Sequence, residues 1–259
     1  MPYREGFALA GAWLIEHEKI VAQYPPEGSS ARILAERRRV GGAAFDLAIK
    51  LRARTADLPL YAIGCLGEDD DGHTVLSACH QLEVDTYQLQ ALAGVATAHA
   101  EVIISNESSS RTRFYFAGAN DVLELEHFDF RHCLARWFHL GDVHLLARMA
   151  QRDEDAGTIT GRVLHAARAA GLTTSLAMTT PAEDYYGESC SKVLVQADYL
   201  ILEAQAPHAV TTHPSGRGVN AAPSVWASMA RDLLAQGVSS GVGIYSTVPT
   251  EAKARAPWR

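Results

Sequence analysis

Short apolar runs and helix-spaced apolar stripes take turns along most of this chain. Phe7 to Ile15 is apolar and bounded by Gly and charge, which predicts a buried strand. After Gly41-Gly42, Ala44, Leu47, Ala48 and Leu51 recur at helical spacing. Tyr61 to Leu66 predicts the next strand, and Val75, Leu76, Cys79 and Leu82 a helix that begins near Gly72. The rhythm then changes. Ala98 to Ser105 alternates in part. Arg111 to Phe116 alternates clearly, with Thr112, Phe114 and Phe116 on one side and Arg111, Arg113 and Tyr115 on the other. The polar turn between them completes an antiparallel hairpin with one wet face. Helix and strand then alternate again. Trp137 to Leu140 is a strand, and the stripe from Ile159 to Ala170 is a helix ended by Gly171. Ser175 to Met178 and Tyr199 to Leu202 are strands. Trp226, Met229, Ala230, Leu233 and Leu234 mark a helix ended by Gly237, and Val242 to Ser246 a last strand. His208 to Pro223 is rich in Gly, Pro, Ser and Thr and reads as a loop. Repeated β-α units imply a mainly parallel sheet covered by helices on both faces, with the hairpin apart from it as a lid.

Composition narrows the function classes more than the fold. The chain has 259 residues, 47% hydrophobic and 20% charged, enough for a sizeable core. A formal net charge of -7 argues against a nucleic-acid partner held by phosphate neutralisation. Cys65, Cys79, Cys133 and Cys190 form no CxxC pair, so buried free thiols are expected rather than a disulfide framework. No apolar run reaches the length of a membrane helix, and Met1 to Glu5 carries no signal-peptide pattern. A cytoplasmic protein with no membrane partner is the expectation.

Two stretches carry candidate chemistry: Val40-Gly41-Gly42-Ala43-Ala44-Phe45-Asp46, and Ile63-Gly64-Cys65-Leu66-Gly67-Glu68-Asp69-Asp70-Asp71-Gly72. Glycines ahead of a helix let backbone amides approach a ligand closely, and a helix start favours an oxygen-rich group. The plainer reading is that these glycines only mark turns. Three other clusters read as ordinary structure. His139, Asp142 and His144 belong to a strand end rather than a metal site. Glu68 to Asp71 is a solvated loop whose last acid caps the helix near Gly72. Arg37-Arg38-Arg39 is a solvated face rather than a seat for a phosphorylated ligand. The dinucleotide fingerprint GxGxxG is absent.

In their order and spacing, the two glycine stretches resemble the N-terminal signature of the ribokinase (PfkB) family of carbohydrate kinases. Gly11 to Glu16 is similar to the family's first strand, and Val84-Asp85-Thr86 to its GVDT segment without the Gly. Arg111 to Asn120 is similar to its lid strand and GAN, and Asp198 to Leu202 to the strand before its NxxE. The resemblance covers nearly the whole chain. It implies a three-layer αβα sandwich with a mainly parallel sheet and a small β lid. It implies one domain over 1–259, incomplete at the C-terminus, with lid strands within about 17–40 and 97–117. It also implies ATP- and magnesium-dependent phosphoryl transfer to a sugar or nucleoside. The substrate would meet Glu16, Gly41, Gly42, Asp46 and Asn120, and a homodimer could form through the lid.

The sequence departs from that pattern where the family places its chemistry. The GAGD motif that would supply the base and an anion hole is absent; Gly241-Val242-Gly243-Ile244 is nearest, has no acid and reads as strand. The Asn of NxxE is Glu203, in the nucleotide and magnesium region, and its acid is Ala206. The substrate-motif Asn is Asp46, and the first-strand Asp is Glu16; both carboxylates still accept hydroxyls. No catalytic or metal residue is therefore assigned. The expectation is a carbohydrate kinase by descent that is inactive, with a non-catalytic sugar-binding or partner-binding protein on the same scaffold as the alternative.

Overall fold

The structure is a computed structural model that describes residues 4–178, 190–203 and 223–245. The strands β1 (Phe7–Gly11), β4 (Leu60–Gly67), β5 (Val84–Leu92), β8 (Trp137–Gly141), β11 (Thr173–Met178), β12 (Tyr199–Glu203) and β13 (Gly241–Tyr245) form one sheet. Their order is β13-β12-β11-β8-β1-β4-β5, and every neighbouring pair is parallel. Parallel strands need crossovers, and helices supply them. Helices α1 (Ala43–Arg54) and α2 (Asp70–Gln81) cover one face. The helices α3 (Ile159–Ala169), α4 (Cys190–Leu194) and α5 (Pro223–Ala235) lie on the other. The result is the expected three-layer sandwich. Its sheet separates two cores, because successive residues of a strand point to opposite faces. Leu9 belongs to the core under α1 and α2, whereas Ala8 and Ala10 join the larger one, around Phe138, Leu140 and Leu176.

A second sheet stands beside the first. Its strands β2 (Leu14–Val21), β3 (Ile33–Gly41), β6 (Ala98–Ser105) and β7 (Arg111–Phe116) are ordered β3-β2-β6-β7. β6 and β7 are antiparallel, as their alternation predicts. A short ribbon, β9 (Arg152–Asp153) with β10 (Gly157–Thr158), precedes α3.

Several expectations need correction. The apolar run from Phe7 to Ile15 is two strands in two sheets, not one. Chain direction changes at Gly11, whose φ is +133° and which rests on the backbone of Gly141. The run looks continuous because both its halves, and Trp13 between them, are buried. α2 is capped by Asp69, whose carboxylate accepts from the amide of Gly72, and not by Asp71. The edge strand β5 has few apolar positions and was legible only as a short motif. Cys65, Cys79 and Cys133 are buried free thiols. The Cys190 side chain lies outside the description, as do Ser246, Ala206 and the 208–222 part of the expected loop. Pro223 opens α5. Among the described residues no helix is long and apolar enough to cross a membrane.

Candidate functional site at the junction of lid and sheet

The carboxyl ends of β1 and β8, the start of α1 and the inner face of the lid meet at one junction. Its floor begins with Asp142, the residue after β8, in the left-handed region at φ 52°. Its Oδ2 accepts from the Ala43 amide at 2.9 Å. α1 has no side-chain cap of its own, since Gly42 precedes it. Asp142 therefore satisfies an amide that a helix start leaves open. The oxygen-rich group expected at this helix start is supplied by the protein itself.

Gly41 and Gly42 are close-approach positions within the chain. A Cβ on Gly41 would lie 2.9 Å from Cγ of Glu16, and one on Gly42 would lie 2.1 Å from the carbonyl oxygen of Ala12. Gly42 also sits at φ +97°, which side chains rarely adopt. These two glycines let the end of β3 lie against Glu16 and the turn into β2.

Asn120 is fully buried and holds that same turn. Its Oδ1 accepts from the Trp13 amide at 3.2 Å, and its Nδ2 donates to the Trp13 carbonyl at 3.2 Å and to the Tyr115 hydroxyl at 2.9 Å. Tyr115 in turn donates to the Leu145 carbonyl at 3.1 Å, and burial pushes its pKa up. Both amide hydrogens of Asn120 are thus engaged within the protein, fastening the chain entering the lid to the chain leaving it.

The second glycine stretch makes the other hinge. Asp69 accepts from the Thr97 amide at 2.7 Å and hydroxyl at 2.6 Å, ahead of β6, while the Thr97 hydroxyl accepts from the Gly67 amide at 2.9 Å. Burial alone would raise the Asp69 carboxyl, but the Thr97 and Gly72 hydrogen bonds hold it below its ordinary value.

The lid forms the roof. Strand register places Glu16 opposite Arg39 and Glu18 opposite Arg37, while β7 brings Arg111 and Arg113 to the same face. Arg113 Nη2 donates to Glu16 Oε1 at 2.8 Å, Arg111 Nη2 donates to Glu18 Oε1 at 3.0 Å, and Arg37 pairs with Glu18. Arg39 pairs with Glu16 and donates to Asp46 Oδ1 of α1 at 2.9 Å. Burial would lower the Arg39 pKa, but Asp46, then Glu16 and Glu18, raise it above its ordinary value. Burial would push the Glu18 carboxyl up, but Arg37, then Arg111 and Arg39, hold it below its ordinary value. Arg37 and Arg39 are thus part of an ordered ion-pair ladder, which corrects their reading as a plain solvated face. The signal was present: charged residues two apart on β2, β3 and β7 must share a face.

Glu203 ends β12. Burial lowers the pKa of His144, with Asp142 and Glu203 opposing the fall and Arg113 adding to it. His139 points into the core instead, with Nδ1 2.9 Å from the Ser175 hydroxyl. Among the described residues no three His, Cys, Asp or Glu side chains gather as a metal site requires.

An αβα sandwich whose lid closes over the carboxyl ends of the strands defines the class: this is the ribokinase-like fold, in a divergent sequence. The chain is similar to a ribokinase from Giardia lamblia, with a TM-score of 0.71 at 16% identity, over 94% of this chain and 69% of that one. It is similar to an Arabidopsis thaliana ribokinase solved with ribose and ATP, with a TM-score of 0.68 at 17% identity, over 94% of this chain and 72% of that one. A fructokinase from Xylella fastidiosa gives a TM-score of 0.66 at 17% identity, over 95% and 74%. No family model and no curated protein matches the sequence.

Proposed function

We propose that this chain is a PfkB-type carbohydrate kinase by descent, and that its 259 residues bind a sugar or nucleoside in the cleft without transferring a phosphoryl group. Glu16, Gly41, Gly42 and Asp46 line that site in this reading, with Asn120 holding its rim in place. The fold's relatives and the position of the cleft at the carboxyl ends of parallel strands support ligand binding there. One observation carries the non-catalytic part. Each of the three carboxylates at this junction has one oxygen held within the protein: Glu16 Oε1 by Arg113, Asp46 Oδ1 by Arg39, and Asp142 Oδ2 by the Ala43 amide, while the buried Glu16 Oε2 faces Arg39 as an ion pair without a hydrogen bond. A general base for a substrate hydroxyl needs an uncommitted oxygen within reach of that proton. ATP and magnesium are the cofactors of the kinase reading. Glu203, at the end of β12, is the acid that this reading places in the nucleotide and magnesium region.

The reading includes a cytoplasmic location and a homodimer through the outer face of the lid. Phe114 and Phe116 are 55% and 49% exposed there, and His99 stacks on Phe116. Calorimetric titration with a panel of pentoses, hexoses, nucleosides, sugar phosphates and sugar acids tests the site. Binding is expected for one class, weakened about tenfold or more by Glu16→Gln. No heat from any member would overturn the reading.

A further inference from the structure

The lid's inner face carries a charge pattern that narrows the ligand, given the sugar reading of the same site. A pocket for a neutral polyol is best served by carboxylates whose lone pairs are open to hydroxyl donors. Here the two carboxylates best placed for that task, Glu16 and Asp46, are bridged by one guanidinium, Arg39. The sheet face holds four guanidiniums, from Arg37, Arg39, Arg111 and Arg113, against two carboxylates, from Glu16 and Glu18. Depth separates the signs. The carboxylate side chains are 1% and 3% exposed, whereas those of Arg37, Arg39, Arg111 and Arg113 are 54%, 28%, 47% and 43% exposed. On the lid face the charge that meets solvent is positive, over a buried layer of negative charge, and Asp46 of α1, 41% exposed, is the acid that faces it through Arg39.

We propose that the cleft takes an anionic sugar, a sugar phosphate or a sugar acid, whose oxyanion is held by Arg111 and Arg113 of the lid. Each guanidinium presents five N–H donors in a fixed fork. One nitrogen of each fork, Nη2, donates to Glu16 or Glu18 and fixes its orientation, and the remaining N–H groups of the fork are those offered to the planar or tetrahedral oxyanion that arginine recognises. Because buried partners already hold the forks, little ordering remains for binding to accomplish. The forks also stand beside the floor of the cleft. Arg113 acts electrostatically on His144, and Tyr115, two residues along the same face, reaches the Leu145 carbonyl.

The test is calorimetry on the full chain with fructose, fructose 6-phosphate, gluconate and inorganic phosphate. One anionic sugar is expected to bind at least about tenfold more tightly than fructose. That preference should shrink as salt rises from about 20 to about 200 mM. The stronger of the ester and the acid identifies the anion. Arg111→Gln and Arg113→Gln should each weaken it about tenfold, with Arg113→Lys recovering part of the loss, and thermal melts checking that each variant folds. Fructose binding as well as both anionic sugars would overturn this proposal and leave the sugar reading standing. Inorganic phosphate binding as tightly as the ester would also overturn it, by reassigning the arginines to a free anion. Silence from every sugar would overturn both.

Discussion

The two sheets of this molecule solve burial in opposite ways. The seven-stranded sheet has apolar faces under helices, with Leu9, Phe138, Leu140 and Leu176 fully buried. The four-stranded lid sheet instead buries two glutamates on its inner face and covers them with arginines. Apolar burial is non-directional and favours the folded state outright. A buried ion pair must first offset the desolvation of both charges, so it contributes little net stability and a defined arrangement of donors. The sandwich therefore supplies most of the stability, and the lid supplies a defined arrangement of charged donors. Removing the same number of atoms from each should have very different consequences.

The largest effect is expected in the sandwich. Phe138 is fully buried, with the rings of Phe130 and Phe128 edge-on at 4.9 and 5.9 Å. Phe138→Ala should cost about 3–5 kcal/mol in urea unfolding. A cost below about 1 kcal/mol would mean that this core is not what holds the protein together.

Acid should act on the two sheets in different pH windows. Burial lowers the pKa of His139 to about 4 from an ordinary 6.5. The unfolded chain thus takes up a proton that the folded one refuses, and stability falls as pH drops from 6.5 towards 4. The loss is on the order of 3 kcal/mol, and His139→Leu should flatten this slope. Glu18 lies in the lid, and its carboxyl is held below its ordinary value of 4.5. Its contribution is present above that value and lost only at lower pH, as the folded carboxyl takes up its proton. Glu18→Gln should leave the His139 window unchanged. Stability profiles that coincide for the two variants would erase the distinction between the regions.

A smaller effect is expected at the hinge. Asn120→Ala strips the amide and carbonyl of Trp13 of their side-chain partner, at a cost of about 2 kcal/mol. Hydrogen exchange should quicken in β2 and β7 while the central strands β1 and β8 stay protected. Uniform quickening would make Asn120 part of the sandwich rather than of the hinge.

The sandwich was largely legible in the sequence, since strands buried on both faces and amphipathic helices leave strong periodic signals. The lid was legible only where alternation was clean, at β7. β3 runs from Ile33 through six exposed residues and carries no apolar stripe, so its pairing with β2 is fixed by charge across strands, which no single segment reveals. The site was half legible. Glu16, Gly41, Gly42, Asp46 and Asn120 all fall at the junction of lid and sheet. What the sequence concealed was how the protein occupies them: Asp142 on the Ala43 amide, Arg39 between Glu16 and Asp46, and Asn120 on the Trp13 backbone. Contacts between residues 99 or 107 positions apart have no local signature.

The central claim is that this chain binds without transferring phosphate. Its most direct test is to incubate the purified chain with ATP, magnesium and the sugar that calorimetry identifies, and to follow ADP release while titrating nucleotide in parallel. The expected result is sugar binding with no micromolar nucleotide binding and no sugar-dependent ADP. Turnover that rises with the sugar and disappears in Asp46→Ala would contradict the claim and make the cleft an active site.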